Sequence, residues 1–283
     1  MSHILDTQFR SITLFLDSRD TFKTHSNSDC EWLLQKAIYV PTNIDILFSL
    51  DNITVPFSFY TVNSYNNYLH YTDPNGIDRS FSVTPGNYTV TNLLETINAS
   101  LVDLSVSYSY ITNKVTFIST TDTFDFTLLS DSTIFTVLGF SAVNHESGGG
   151  SIVSDQTFNL AYTTGIYIDL NDITTENIDG SNGGITSILS RVPIDQMPGS
   201  ILQYSAKNNM VHVTNKYIHN LHITLLDDEK RSLLLQDNVY FNVTLTLHFI
   251  TRKHEVFDNK MLLTLQEHEE KKKSNDKIKH VNK

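Results

Sequence analysis

The 283 residues contain one cysteine, Cys30. A single thiol excludes an internal disulfide and agrees with a reducing compartment. Long apolar runs are missing too: none approaches the roughly 20 residues that a membrane-crossing helix needs. The start, MSHILDTQFRS, lacks the basic and apolar regions of a secretory signal. These absences predict a soluble protein without a membrane span, made in a cytosol. The glycosylation-type triplets at Asn52, Asn87, Asn98 and Asn242 then carry no message. Basic residues are scarce, with 20 Lys and Arg against 31 Asp and Glu and a net charge of −11. The last 13 residues, KKKSNDKIKHVNK, hold six lysines and one aspartate, so the preceding 270 carry −16. An acidic body disfavours general nucleic-acid binding, because phosphate contacts need a basic face. Only the tail, with Lys271, Lys272, Lys273, Lys277 and Lys279, is a candidate for nucleic-acid contact.

Patterns that carry catalysis are absent as well. No His-x-His occurs, which argues against a cupin-type metal strand, and HEVFD at 254–258 lacks the second histidine of a zinc helix. His219 and His222, three apart, point to opposite faces of a regular strand and cannot chelate one ion. The glycine-rich GSNGGITS and SGGGS lack the lysine of a phosphate loop, and no Gly-x-Ser-x-Gly elbow is present. Cys30 opens a stretch in which Trp32, Leu33 and Ala37 are expected to face inward, which makes it a packed thiol. The expectation is a protein that is not an enzyme and has no cofactor or metal.

What the chain has in abundance is strand. YFNVTLTLHFI places Phe241, Val243, Leu245, Leu247 and Phe249 on one face and polar residues on the other. The same alternation recurs at Ile12, Leu14 and Leu16, at Ile44, Ile46, Phe48 and Leu50, and at Ile166, Ile168 and Leu170. It returns at Val211 and Val213 and at Leu221, Ile223 and Leu225. Turn sequences such as LDDEKRS, SAKNN and DGSNGG separate the runs. Many half-buried strands with such punctuation predict two sheets packed face to face, a sandwich or jelly roll.

The middle breaks this rhythm. Val90, Leu93, Leu94, Ile97 and Leu101 form one helical stripe, with Asn92 and Glu95 spaced as a capping box. A hairpin around ITNK, with Val106, Tyr108 and Tyr110 facing Val115 and Phe117, is the expected partner, together with a short helix closed by Gly139. The domain expectation is a discontinuous jelly roll over 1–76 and 144–260, an inserted α+β domain over 77–143, and a short helix and basic tail over 261–283. Just before the insertion, SFYTVNSYNNYLHYTDPNG carries Tyr60, Tyr65, Tyr68 and Tyr71 among four asparagines. That composition suits a partner-binding surface, and equally the core and rim of a strand.

The order of the pieces resembles a known group. LDSRD, AIYVPTNIDILFSLDNITVPFSFYTVNSYNN, VTPGNYTVTNLLETIN, NKVTFIS and LGFS, followed by IYIDLNDI, SILSRVPID and IHNLHITLLDDEKRSLLLQDNVYFNVTLTLHF, are similar to the penton, or vertex capsid, proteins of virophages, polinton-like viruses and large eukaryotic DNA viruses. The resemblance implies a single jelly roll with an inserted domain, assembled as a homo-pentamer at the fivefold vertices of an icosahedral virion beside a double-jelly-roll major capsid protein. It also implies an outward insertion that meets a host glycan or receptor; the tail's charge adds an expected genome contact. The competing readings are a glycan-binding or adhesion sandwich and another minor capsid or cement protein.

Overall fold

The computed structural model describes residues 10–251 except 122–124, 162, 172, 174–176, 179–184 and 207–209. The first four strands are β1 (Arg10–Asp17), β2 (Lys23–Ser26), β3 (Asp29–Tyr39) and β4 (Ile44–Pro56). A second group follows: β5 (Tyr68–Thr72), β6 (Asp78–Ser82), α1 (Val90–Ser100), β7 (Leu104–Ser109), β8 (Lys114–Ser119), β9 (Thr127–Leu128), α2 (Phe135–Leu138), β10 (His145–Glu146) and β11 (Ser151–Val153). The chain then returns through β12 (Gly165–Leu170), the short pair β13 (Asn177–Ile178) and β14 (Ile185–Thr186), β15 (Ile188–Pro193), β16 (Ile201–Tyr204), β17 (Met210–Val213), β18 (Tyr217–Leu226) and β19 (Asn242–Thr251).

The first and third groups interleave into two five-stranded antiparallel sheets. Sheet one runs β1-β19-β4, with β16 and β17 sharing the far side of β4, and sheet two runs β15-β12-β18-β3-β2. Counting β16 and β17 as one broken strand and setting aside β2, an added edge strand paired antiparallel with β3, this is the strand order of a jelly roll, two Greek keys wrapped over one core. The mainly-β, single-jelly-roll expectation is borne out. The alternating residues Ile46, Phe48, Leu50, Ile166, Ile168, Leu170, Leu221, Ile223, Leu225, Val243, Leu245 and Leu247 all point into that core. Burial of each side chain contributes roughly 1.5–3 kcal/mol, which is why period-two spacing settles which way every strand faces.

β3 departs from the sequence reading. Cys30 and Trp32 are buried, but Leu33 is exposed on the opposite face and Ala37 is only half-buried, because the segment is a strand of period two and not a helical stripe. Trp32 packs edge-on against Phe241 and donates its indole N–H to the Asp17 carbonyl at 2.9 Å. Burial pushes the Cys30 thiol up to about 11, so it stays protonated and unreactive at neutral pH.

The second group has its own hydrophobic core. β10-β9-β5-β6 and β11-β8-β7 form two small sheets, with α1 against β7. Leu93, Leu94 and Ile97 of α1 meet Val106, Val115, Phe117 and Leu138 there. The side-chain amide of Asn98 locks the helix to β7 by donating to the Val106 carbonyl at 2.9 Å and accepting from its N–H at 2.7 Å. α1 starts at Thr89, whose hydroxyl accepts from the Asn92 N–H; Asn92 lies inside the helix and is not its cap. This core draws on Val62, Leu69, Tyr71 and Ile152, beyond both ends of the 77–143 stretch, because β6 completes its pairing only with β5 and β8 with β11. The 261–283 segment lies outside the described residues.

Candidate assembly surface

Each flank of the roll is made of one edge strand from each sheet. β1 leads to β2 through residues 18–22, and β15 leads to β16 through residues 194–200, so each short connection folds over one side. On the first flank, β1 exposes Phe15, at 81% of its surface, and the connection to β2 exposes Phe22. The second exposes Met197, at 82%, with Ile201 and Met210. Leu16 and Leu202, next to Phe15 and Ile201, are buried, so strand alternation forces their neighbours outward. The two flanks thus differ in the apolar side chains they expose, and each ends a sheet in an edge strand that pairs on one side only.

The ends of the roll differ as well. Thr54 of β4 pairs with Asn242, and Ile44 pairs with Thr251. Asp17 pairs with Asn242 and Arg10 with Phe249. The second group leaves after Pro56 and returns before Gly165, at the end where Asp17 and Asn242 lie. The opposite end holds Arg10 and Thr251, where the chain continues to residues 1–9 and 252–283.

One loop secures both connections. In the turn after β18, the buried Asp227 accepts from the backbone N–H groups of Glu229 and Arg231 and pairs with the Arg231 guanidinium at 2.8 Å. The Arg231 guanidinium then lies over the Tyr65 ring, 4.3 Å from its centre, and Tyr65 donates its hydroxyl proton to the Ser232 carbonyl. On the return strand, Thr164 donates its N–H and hydroxyl to the Asp228 carboxylate. A stack of Phe57 on Phe59, ring centres 4.3 Å apart, continues the first core toward the outgoing connection.

The four tyrosines do not gather into one surface. Tyr71 is 1% exposed and accepts from the Val102 N–H, and burial pushes its phenol up, so it is a core residue and not a partner contact. Tyr65 is engaged at the junction just described. Tyr60 and Tyr68 remain half-exposed, Tyr68 leaning on His70. Lys271, Lys272, Lys273, Lys277 and Lys279 lie outside the described residues.

Sheet one also carries a serine, a histidine and an aspartate in contact. Ser49 Oγ donates to Asp51 at 2.9 Å and lies 3.1 Å from His248 Nε2, while Thr246 donates to the other oxygen of Asp51. The carboxylate is bonded to the serine, where a nucleophilic triad would have it orient the histidine. Ser49 is buried besides, so the cluster joins β4 to β19 and presents no nucleophile.

No protein-family model matches the chain, and no curated protein does. Among the solved structures similar to it is a selenomethionine-labelled mavirus penton protein. The alignment covers 86% of this chain and 100% of that one, with 11% identical residues and a TM-score of 0.44. No helix among the described residues is long and apolar enough to cross a membrane.

Proposed function

We propose that this chain is a penton capsid protein, a non-enzymatic building block that closes a ring of five at a virion vertex. The observation that carries the reading is a jelly roll whose two flanks expose different apolar side chains, with the second core reached from one end of the roll. A closed ring needs a heterologous contact in which one flank meets the other and the rotation returns on itself. The exposed Phe15 and Phe22 side and the Met197 and Ile201 side supply two such faces. Joining them would cover the open edges of both sheets. The sequence segments resembling penton proteins fold as β3 and β4, α1, β8, β12, β15, β18 and β19, the framework of the roll and of its second core.

In this reading the second core is an inserted domain raised outward for host glycan or receptor contact, and the basic tail points inward to packaged genome. The sides of the ring meet the double-jelly-roll major capsid protein. Many weak contacts around a vertex act together, so modest affinity per contact suffices.

Charged substitutions on single flanks test the ring. Phe15→Glu and Ile201→Glu are both on solvent-facing positions and should leave each protein folded. Each variant alone is expected to be monomeric. Mixed in equal amounts they should give heterodimers that grow no further, since one intact flank of each kind remains. Rings formed by either variant, or no complex in the mixture of two variants that fold and whose parent assembles, would overturn the flank assignment.

A further inference from the structure

On the outer face of sheet two, three strands bring together groups far apart in sequence. Asp29 begins β3, His222 lies on β18, and His25 sits where β2 shifts register against β3 between Thr24 and Ser26. Cys30 and Ile223 pair facing the core, so Asp29 and His222 face outward. The register shift turns His25 to the same side. His222 Nε2 is 2.5 Å from Asp29 Oδ1, and the His25 and His222 rings stack with centres 5.1 Å apart and planes 26° from parallel. One ligand atom from each of the three lies within 4.8 Å of the others.

We propose that His25, Asp29 and His222 form a binding site for a divalent transition-metal ion, zinc by preference. Two imidazole nitrogens and one carboxylate are a donor set that zinc takes in tetrahedral sites with an open fourth position. Bonds of about 2.0–2.2 Å put tetrahedral ligands about 3.3–3.6 Å apart, so His25, within 4.8 Å of the other two, must draw in by about 1 Å. Asp29 and His222, hydrogen-bonded at 2.5 Å, are closer than that and must open by about 1 Å to admit an ion between them. His25, exposed on the edge strand, is the arm that draws in. His222 is paired across the strands with Glu31, whose carboxylate accepts from Asn220 at 2.9 Å. This site rests on its own three residues and does not depend on the ring reading.

Cobalt and zinc binding to the full chain, stripped of metal by chelator, is the test. One Co2+ per chain is expected, with the intense visible absorption of tetrahedral coordination, displaced by Zn2+. His25→Gln and His222→Gln should each weaken binding by about 100-fold or more, the upper end of what even outer-shell losses cost. His219→Gln, on the same strand as His222, should leave it unchanged. A weak, pale octahedral cobalt spectrum, or equal binding by all three variants, would mean adventitious surface histidine binding only and would remove the site. If one variant fails to fold, the other, changed on a different strand, still decides the matter.

Discussion

Gly139→Ala is expected to cost about 2–5 kcal/mol, combining a left-handed residue with a backbone collision. Gly139 closes α2 at φ +83°, and a methyl group there would lie 2.5 Å from the Gln156 carbonyl oxygen and 2.8 Å from that of Thr157. Both contacts are backbone, held by the Gln156 N–H on the Gly139 carbonyl and the Asn159 N–H on that of Val137. Neither side can step aside without breaking those bonds. The chain has one tryptophan, Trp32, in the core of the roll. Urea unfolding followed by Trp32 emission should therefore change little, while hydrogen exchange of α1 amides should accelerate sharply. Unaltered exchange would show that the second core tolerates the methyl group.

Asp73→Ala should cost about 3–5 kcal/mol in the same core, the range for removing one partner of a buried pair. The carboxylate is fully buried at the β5–β6 turn. One oxygen accepts from the Asn75 and Ile77 N–H groups at 2.9 and 3.0 Å, and the other from Arg79. Arg79 keeps a third of its side chain in solvent, which places the loss toward the lower end of the range. Burial pushes the Asp73 carboxyl up, but the Ile77 N–H, the Arg79 guanidinium and the Asn75 N–H outweigh it, so the group is held below the ordinary carboxylate value. A depressed native value means that this contribution is complete above the unfolded-state value and is lost as the pH falls through the native one. Asp155, lowered by the Ser141 hydroxyl and N–H, adds to the second core with the same sign. Melting of the second core is thus expected to be flat near neutrality and to fall below about pH 4. Asp73→Asn should be less stable at pH 7 and less steep in acid. Parallel profiles for the two proteins would contradict the assignment.

Much of the roll was legible because β4, β12, β18 and β19 bury one face, and burying one face writes period two into the sequence. β3 was harder: Trp32 and Leu33 are adjacent apolar residues of which one points out, a choice that sequence alone does not reveal. α1 is visible as a stripe, yet the Asn92 and Glu95 spacing points one turn too far along, since Thr89 lies among residues equally suited to turns. The tyrosine-rich stretch before residue 77 suits a partner surface and a strand core equally, and nothing in its composition shows that Tyr71 fills the second core from β5. His25, Asp29 and His222 carried no signal at all. Their meeting depends on the β2 register shift and on pairing across almost 200 residues, and the sequence spacing of His219 and His222 points away from it.

Closure of a ring by unlike flanks is the central claim, and the native mass of the purified chain tests it most directly. Light scattering over a concentration series at low and high salt would read it, since each chain carries −11 and salt screens the repulsion between neighbours. The prediction is one assembled species of about 160 kDa, five times the 32.1 kDa chain, favoured by protein concentration and salt. A twofold dimer, or a monomer at every concentration and salt, would contradict it.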